Sequence, residues 1–205
     1  MKIFITILLS FLFLSCSSVP EVKKDIESPF YWDKNSNTQI KIYTDFQCPA
    51  CIVFEQAIWK TLFEKYALTN KIWLTYKMFP LPKHTNAKDD AISVLCSAKQ
   101  WKYSEFSTKM YELEKEKDWK TVTFKDRLQI AKDIKLNEAE FTTCVNEKHY
   151  LNKIESDIKE WNEKDNLKWT PSIFMNWVLI DMSKIEAIDD FFKLIDNQIW
   201  TWKTN

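Results

Sequence analysis

Cys48-Pro49-Ala50-Cys51 places two thiols three positions apart, and that spacing sets the chemistry this chain can do. Two such thiols can close into a disulfide and reopen, carrying two electrons each time. The same spacing could also supply half of a structural zinc site, which needs four ligands, usually from a second such pair or two histidines. Here the other cysteines (Cys16, Cys96 and Cys144) are single and far apart, and the only histidines are His84 and His149. Redox chemistry is therefore the preferred reading, with no metal and no cofactor expected.

The segments around the pair support it. Gln39-Ile40-Lys41-Ile42-Tyr43-Thr44 alternates and is rich in β-formers, which predicts a strand. After the pair, Ile52, Val53, Phe54, Ala57, Ile58, Leu62, Phe63 and Tyr66 recur at helical spacing. Cys48 thus falls at the start of a helix, where unpaired N–H groups and the positive dipole end stabilise a thiolate. Further along, Lys71–Phe79 reads as a strand with Ile72, Leu74, Tyr76 and Met78 on one face. Helical periods follow around Ala91–Gln100, Ser104–Lys115, Phe124–Ile134 and Glu138–Asn146. Thr123 and Asn137 are N-cap candidates, and Asn137 with Glu140 spaces like a capping box. Ser172–Met175 and Val178–Met182 read as a hairpin. A last helix is expected to open at Ser183, in a capping-box pattern with Glu186, and to run to about Ile199.

At 205 residues the chain has room for one domain and a substantial core. Lys and Arg number 29 and Asp and Glu number 29, so no net field draws the molecule to nucleic acid or an anionic membrane. Arg127 is the only arginine, which further weakens any phosphate-reading role, and no nucleic-acid partner is expected. Residues 1–15 combine a positive Lys2 with an apolar run from Ile3 to Leu14, the proportions of a signal peptide, followed by Cys16. An uncleaved N-terminal anchor is the alternative. Residues 16–38 are polar and suit a tether. An exported protein lives where disulfides persist.

Three segments together resemble the DsbA-like thiol:disulfide oxidoreductases. They are Tyr43-Thr44-Asp45-Phe46-Gln47-Cys48-Pro49-Ala50-Cys51, Lys77-Met78-Phe79-Pro80-Leu81-Pro82 with His84 and Ala87, and Thr170-Pro171-Ser172-Ile173-Phe174-Met175-Asn176. The resemblance spans most of residues 30–200. It implies an α/β class, a thioredoxin-like fold with a helical insertion between the second and third core strands. Residues 39–82 and 161–200 would form the core and 83–160 the insertion. Leu14-Ser15-Cys16 resembles a lipoprotein signal, which would lipidate Cys16 and anchor the protein outside the cytoplasm, in the periplasm or at the cell surface.

The resemblance also implies roles. Cys48 would be the exposed thiol and Cys51 its partner, with Thr170 and a cis Pro171 facing Cys48 and pairing with an extended substrate. An ordinary trans turn proline is the alternative. Cys96 and Cys144 would form a structural disulfide, which at this loop length contributes about 4 kcal/mol in the chain-entropy model; two buried free thiols are the alternative. Partners would be unfolded or thiol-bearing exported proteins and a membrane redox protein that recycles the pair, with the chain itself a monomer. Disulfide donation is the expected activity. A reductase or isomerase is the second reading and a non-catalytic peptide-binding module the third. Relatives often carry a buried acid six residues before the first cysteine; here that residue is Ile42, which leaves the proton of Cys51 without an obvious acceptor. Asp45 reads as a structural or capping carboxylate and His84 as a structural loop histidine.

One count is abnormal. The chain has no glycine, where average usage of about 7% would give roughly 14, and it has 10 tryptophans. In the resembling family, glycine commonly stands at the positions of Trp32, Trp101, Trp169 and Trp177. Asn176-Trp177 occupies a hairpin turn in which both residues need positive φ. The reading that accounts for this is that many or all of the tryptophans are glycines in the native protein, a UGA codon having been translated with the wrong code. A naturally glycine-free, tryptophan-rich chain is the alternative.

Overall fold

The computed structural model describes residues 30–31, 36–117, 122–165 and 167–203. The signal peptide expected at 1–15, Cys16, Trp32 and most of the tether expected at 16–38 lie outside these residues, as does Trp119. The alternating segment Gln39–Thr44 forms strand β2, with Ile40 and Ile42 fully buried. Trp73–Met78 forms β3, the short Phe30–Tyr31 forms β1, and Ser172–Met175 and Val178–Leu179 form β4 and β5. The sheet order is β1-β3-β2-β4-β5. β2 runs parallel to β3 and antiparallel to β4, so Ile42 sits between Tyr76 and Ile173 at the sheet centre.

A parallel pair needs a crossover. Helix α1, Pro49–Phe54, supplies it together with two wider π-helical stretches, Glu55–Trp59 and Leu62–Ala67. Among the described residues between β3 and β4 the chain builds five α-helices, α2 (Ala87–Ala98), α3 (Tyr103–Glu116), α4 (Phe124–Asp133), α5 (Glu138–Asn146) and α6 (Leu151–Glu160), the last continuing into a π-helical stretch, Trp161–Asp165. The fold is the α/β thioredoxin-like one with a helical insertion. Thr123 caps α4 in a reciprocal box with Asp126, and the Asn137 carboxamide accepts from Glu140 N at 3.1 Å to cap α5. α6 was not among the expected helices. Its Asp157 accepts from Met78 N at 3.0 Å and pairs with Lys77 at 3.2 Å, fastening the helix to the end of β3. Among the described residues no helix is long and apolar enough to cross a membrane.

The last helix starts later than expected. The Asp181 carboxylate accepts from both the backbone and the hydroxyl of Ser183, at 3.1 and 2.5 Å, and caps a short 3-10 turn, Met182–Lys184. Ser183 is thus spent as a donor, and α7 runs over Ile188–Lys203.

The backbone bears directly on the missing glycines. Trp177 has φ 71° and Asn176 φ 45°, the two positive values of a hairpin turn that favours Asn-Gly. Trp101 has φ 64° and closes α2 in a Schellman motif, with Lys102 N donating to Ser97 O and Trp101 N to Ala98 O, the position where glycine is preferred. Both indoles point outward, 52% and 72% exposed, and Trp169 is exposed as well. Trp59 and Trp161 differ: they are buried, Trp59 stacked on Phe63 and Trp161 on Phe79. The structure therefore asks for glycine at two tryptophan positions and fills core space with indole at two others.

Candidate active site

β2 ends at Thr44, and Asp45-Phe46-Gln47 turns the chain into α1. Cys48 stands at the N-cap with extended backbone, Cys48 N donates to Asp45 O at 3.1 Å, and Pro49 fills the first turn. Proline suits that position because its missing N–H has no partner to lose. No side chain caps the helix. The N–H groups of Ala50 and Cys51 are therefore directed at the Cys48 sulfur.

Across the cleft the Thr170–Pro171 peptide is cis, and Cys48 Sγ donates to Thr170 O at 3.3 Å. Cys48, expected to be the exposed thiol, is instead buried at 7% exposed, and Cys51 more so at 1%. The two thiols behave oppositely. A hydrogen bond from the Cys51 thiol, helped by the Thr170 side chain and the two helix N–H groups, outweighs desolvation and lowers the Cys48 pKa to about 5. Burial pushes Cys51 well above the ordinary thiol value, and a neighbouring Cys48 thiolate pushes it further. The outer thiol is ionised at neutral pH and the inner one holds its proton.

Behind Cys51 lies a line of buried hydroxyls. Thr44 hydrogen-bonds Cys51, and Thr44 Oγ1 lies 2.6 Å from the Tyr111 hydroxyl of α3. One helical turn beyond Cys51, Glu55 is buried in the core, its backbone N–H donating to Cys51 O. Burial raises its carboxyl to about 8, and the Tyr76 hydroxyl pulls it only part of the way back. The sequence reading missed Glu55. Its signal was present: a carboxylate at i+4 from Cys51, inside an otherwise apolar helix face.

Asp45 and His84 occupy a supporting position. The Asp45 carboxylate accepts from Gln47 N at 2.8 Å and Leu81 N at 2.7 Å and meets His84 Nδ1 at 2.7 Å, tying the turn before Cys48 to the segment after β3. Burial raises its pKa, opposed by those same bonds. Gln47 accepts from Asn86 N at 2.7 Å and donates to Glu114 at 3.4 Å, next to the Asp90–Arg127 ion pair. Cys96 of α2 and Cys144 of α5 are joined by a disulfide, with Cα atoms 5.9 Å apart. Among the described residues no group of three or more His, Cys, Asp or Glu is placed to hold a metal ion.

A strand feeding a Cys-x-x-Cys helix start, with a cis-proline segment opposite, defines the thioredoxin class of fold and site. Residues 24–197 match a family model described as Thioredoxin, and the chain belongs to that family. No curated protein matches the sequence. Among solved structures, oxidised BdbD from Bacillus subtilis is 17% identical with a TM-score of 0.71, covering 84% of this chain and 93% of its own. Wolbachia pipientis alpha-DsbA1 is 20% identical with a TM-score of 0.67, covering 85% and 92%. MdbA from Actinomyces oris, a thiol-disulfide oxidoreductase, is 15% identical with a TM-score of 0.72, covering 87% and 92%. At these identities the likeness is one of fold.

Proposed function

We propose that this chain is an extracytoplasmic thiol:disulfide oxidoreductase that introduces disulfides into exported proteins through Cys48 and Cys51. The observation that carries the reading is the split between the thiols, one ionised with a pKa of about 5 at a helix start and one buried and protonated. A stabilised Cys48 thiolate stabilises the reduced pair, and a stabilised reduced pair makes the disulfide an oxidant. The described activity of MdbA, a thiol-disulfide oxidoreductase of the same fold, is consistent with this.

In the proposed cycle a substrate thiolate attacks Cys48 Sγ in the oxidised pair. The Cys48–Cys51 bond breaks, Cys51 leaves with the electron pair, and a mixed disulfide joins Cys48 to the substrate. The second thiolate of the substrate then attacks the substrate sulfur and expels Cys48 as a thiolate. Two electrons end on the Cys48–Cys51 pair, and a membrane redox partner removes them. Cys48 is a good leaving group because its pKa is low. The backbone carbonyl of Thr170, beside Cys48 and preceding cis Pro171, is offered to an extended substrate chain. The Cys96–Cys144 bond is structural, and Cys16 is the lipidated anchor.

The test is oxidative refolding of a reduced, unfolded secreted protein by stoichiometric oxidised enzyme. Disulfide formation by the wild type and none by Cys48→Ala supports the reading. Isomerisation of scrambled disulfides without net oxidation would favour the isomerase. Full cellular activity retained by Cys48→Ala would favour a non-catalytic peptide-binding module.

A further inference from the structure

The position six residues before Cys48 is Ile42, fully buried between Tyr76 and Ile173, and it offers the Cys51 proton no carboxylate. The cycle above nevertheless needs an acceptor for that proton. When the disulfide opens, Cys51 leaves as a thiolate inside the core; when the pair is reoxidised, the Cys51 thiol must ionise there. A buried thiolate without a proton source is costly.

Glu55 caps the C-terminal end of α1, which carries the pair, and lies one turn from Cys51. It is 6% exposed, and its Oε1 has no hydrogen-bond partner among the described residues. An orphaned carboxyl oxygen in a core calls for an explanation. Thr44 hydrogen-bonds Cys51, and its hydroxyl lies 2.6 Å from that of Tyr111. Tyr111 is fully buried and feels Glu55 and Cys51 through space more strongly than any other charged group.

Resting on the oxidoreductase reading above, we infer that Glu55 is the proton reservoir of the Cys48–Cys51 pair, reached through the hydroxyls of Thr44 and Tyr111. In the oxidative step the protonated Glu55 carboxyl releases a proton toward Cys51 as the Cys48–Cys51 bond breaks. The thiolate becomes a thiol, and Glu55 is left as the carboxylate until the pair is reoxidised. On reoxidation the carboxylate takes the Cys51 proton, and the Cys51 thiolate attacks the Cys48 sulfur of the mixed disulfide with the recycling protein. No electrons pass through Glu55, which is a positioning residue for a proton.

Tyr76 of β3 hydrogen-bonds Glu55, and Glu55, Cys51 and Tyr103 all act through space on the buried Tyr111 hydroxyl of α3. Cys51 and Tyr111 titrate well above their ordinary values, and phenols ionise near pH 10. Cys48 titrates near 5. Glu55, at about 8, is the member of the set poised to change charge between those limits.

The experiment follows the rate at which dithiothreitol reduces the oxidised full-length protein as a function of pH, corrected for the thiolate fraction of the reagent. The wild type should show a break near pH 8, and Glu55→Gln should lose the break and react about tenfold or more slowly at pH 7. The Cys48 titration, followed by thiolate ultraviolet absorbance, should be unchanged in the variant, which a general collapse of the site would not leave intact. Glu55→Gln with an unchanged rate and an unchanged break would overturn the inference. If that variant does not fold, infrared spectroscopy of the wild type reads the same group: a buried protonated carboxyl band that titrates away near pH 8 supports it, and its absence at pH 7 overturns it. Wild type that Cys48-dependent assays show to be redox-inert would instead sink the oxidoreductase reading.

Discussion

Removing the Cys48 thiolate should cost the reduced protein more stability at pH 7 than at pH 5. Cys48 is depressed from 9.0 to about 5 in the folded chain. A depressed pKa contributes stability that is fully present above the unfolded value and is lost as pH falls through the folded value. The window therefore runs from about 9 down to about 5. Each pH unit inside it is worth about 1.36 kcal/mol, so the two units from pH 5 to pH 7 amount to at most about 2.7 kcal/mol. Cys48 is largely buried but keeps a small exposed fraction, and the screening this allows brings the expected figure to about 1.5–2.7 kcal/mol. Cys51 is raised above 9 and is silent across this range. Glu55 titrates in both proteins and cancels in the difference. The assay is urea unfolding of reduced wild type and reduced Cys48→Ala at pH 5, 6 and 7. The stability gap should widen with pH by that amount. A gap that stays flat would refute the claim that the helix start and Cys51 hold a thiolate at position 48.

Glu55→Gln should stabilise the protein at neutral pH. A folded pKa raised from 4.5 to about 8 means that stability present below about 4.5 is lost as pH rises toward 8, a cost of up to about 3 kcal/mol at pH 7 that glutamine removes; denaturant midpoints at pH 4.5 and 7 check it. Trp101→Gly and Trp177→Gly should each stabilise by about 1 kcal/mol, because both positions hold positive φ and both indoles are mostly exposed. Tandem mass spectrometry of the native peptide across 169–177 should find glycine at both ends of that span. The Cys96→Ala and Cys144→Ala double variant should lose about 4 kcal/mol by the chain-entropy model for a separation of 48 residues, read by thermal unfolding.

How much of this was legible before the structure differs by element. β2 was readable because Gln39–Thr44 alternates cleanly, and the start of α1 because Cys-Pro-x-Cys is followed at once by helical spacing. Both caps, Thr123 and Asn137, were visible as residue types at the right offset. α6 was hidden because Leu151, Ile154 and Ile158 form a sparse apolar stripe among charges, and its docking depends on Asp157 finding Met78 N, a contact between residues 79 positions apart. The start of α7 was misplaced because Ser183 looks like a cap in isolation, while Asp181 claims its hydroxyl. Of the site, the two cysteines, Thr170 and Pro171 were legible from motif and order. Glu55 was not, since a glutamate in a helix reads as solvated until burial on the inner face is known. Asp45 and His84 already read as structural residues, but their direct contact required the loop geometry that brings Leu81 and His84 to one carboxylate.

The reduction potential of the Cys48–Cys51 pair tests the central claim most directly, by equilibration with reduced and oxidised glutathione and quantification of the trapped thiols. A Cys48 pKa of about 5, against about 7 for thioredoxin, favours the reduced pair by about 2.3 kcal/mol at pH 7, or about 50 mV. The expected value lies between about −230 and −120 mV, the upper bound being that of DsbA. A value at or below the thioredoxin figure of about −270 mV would make the pair a reductant and contradict its role as a donor of disulfides.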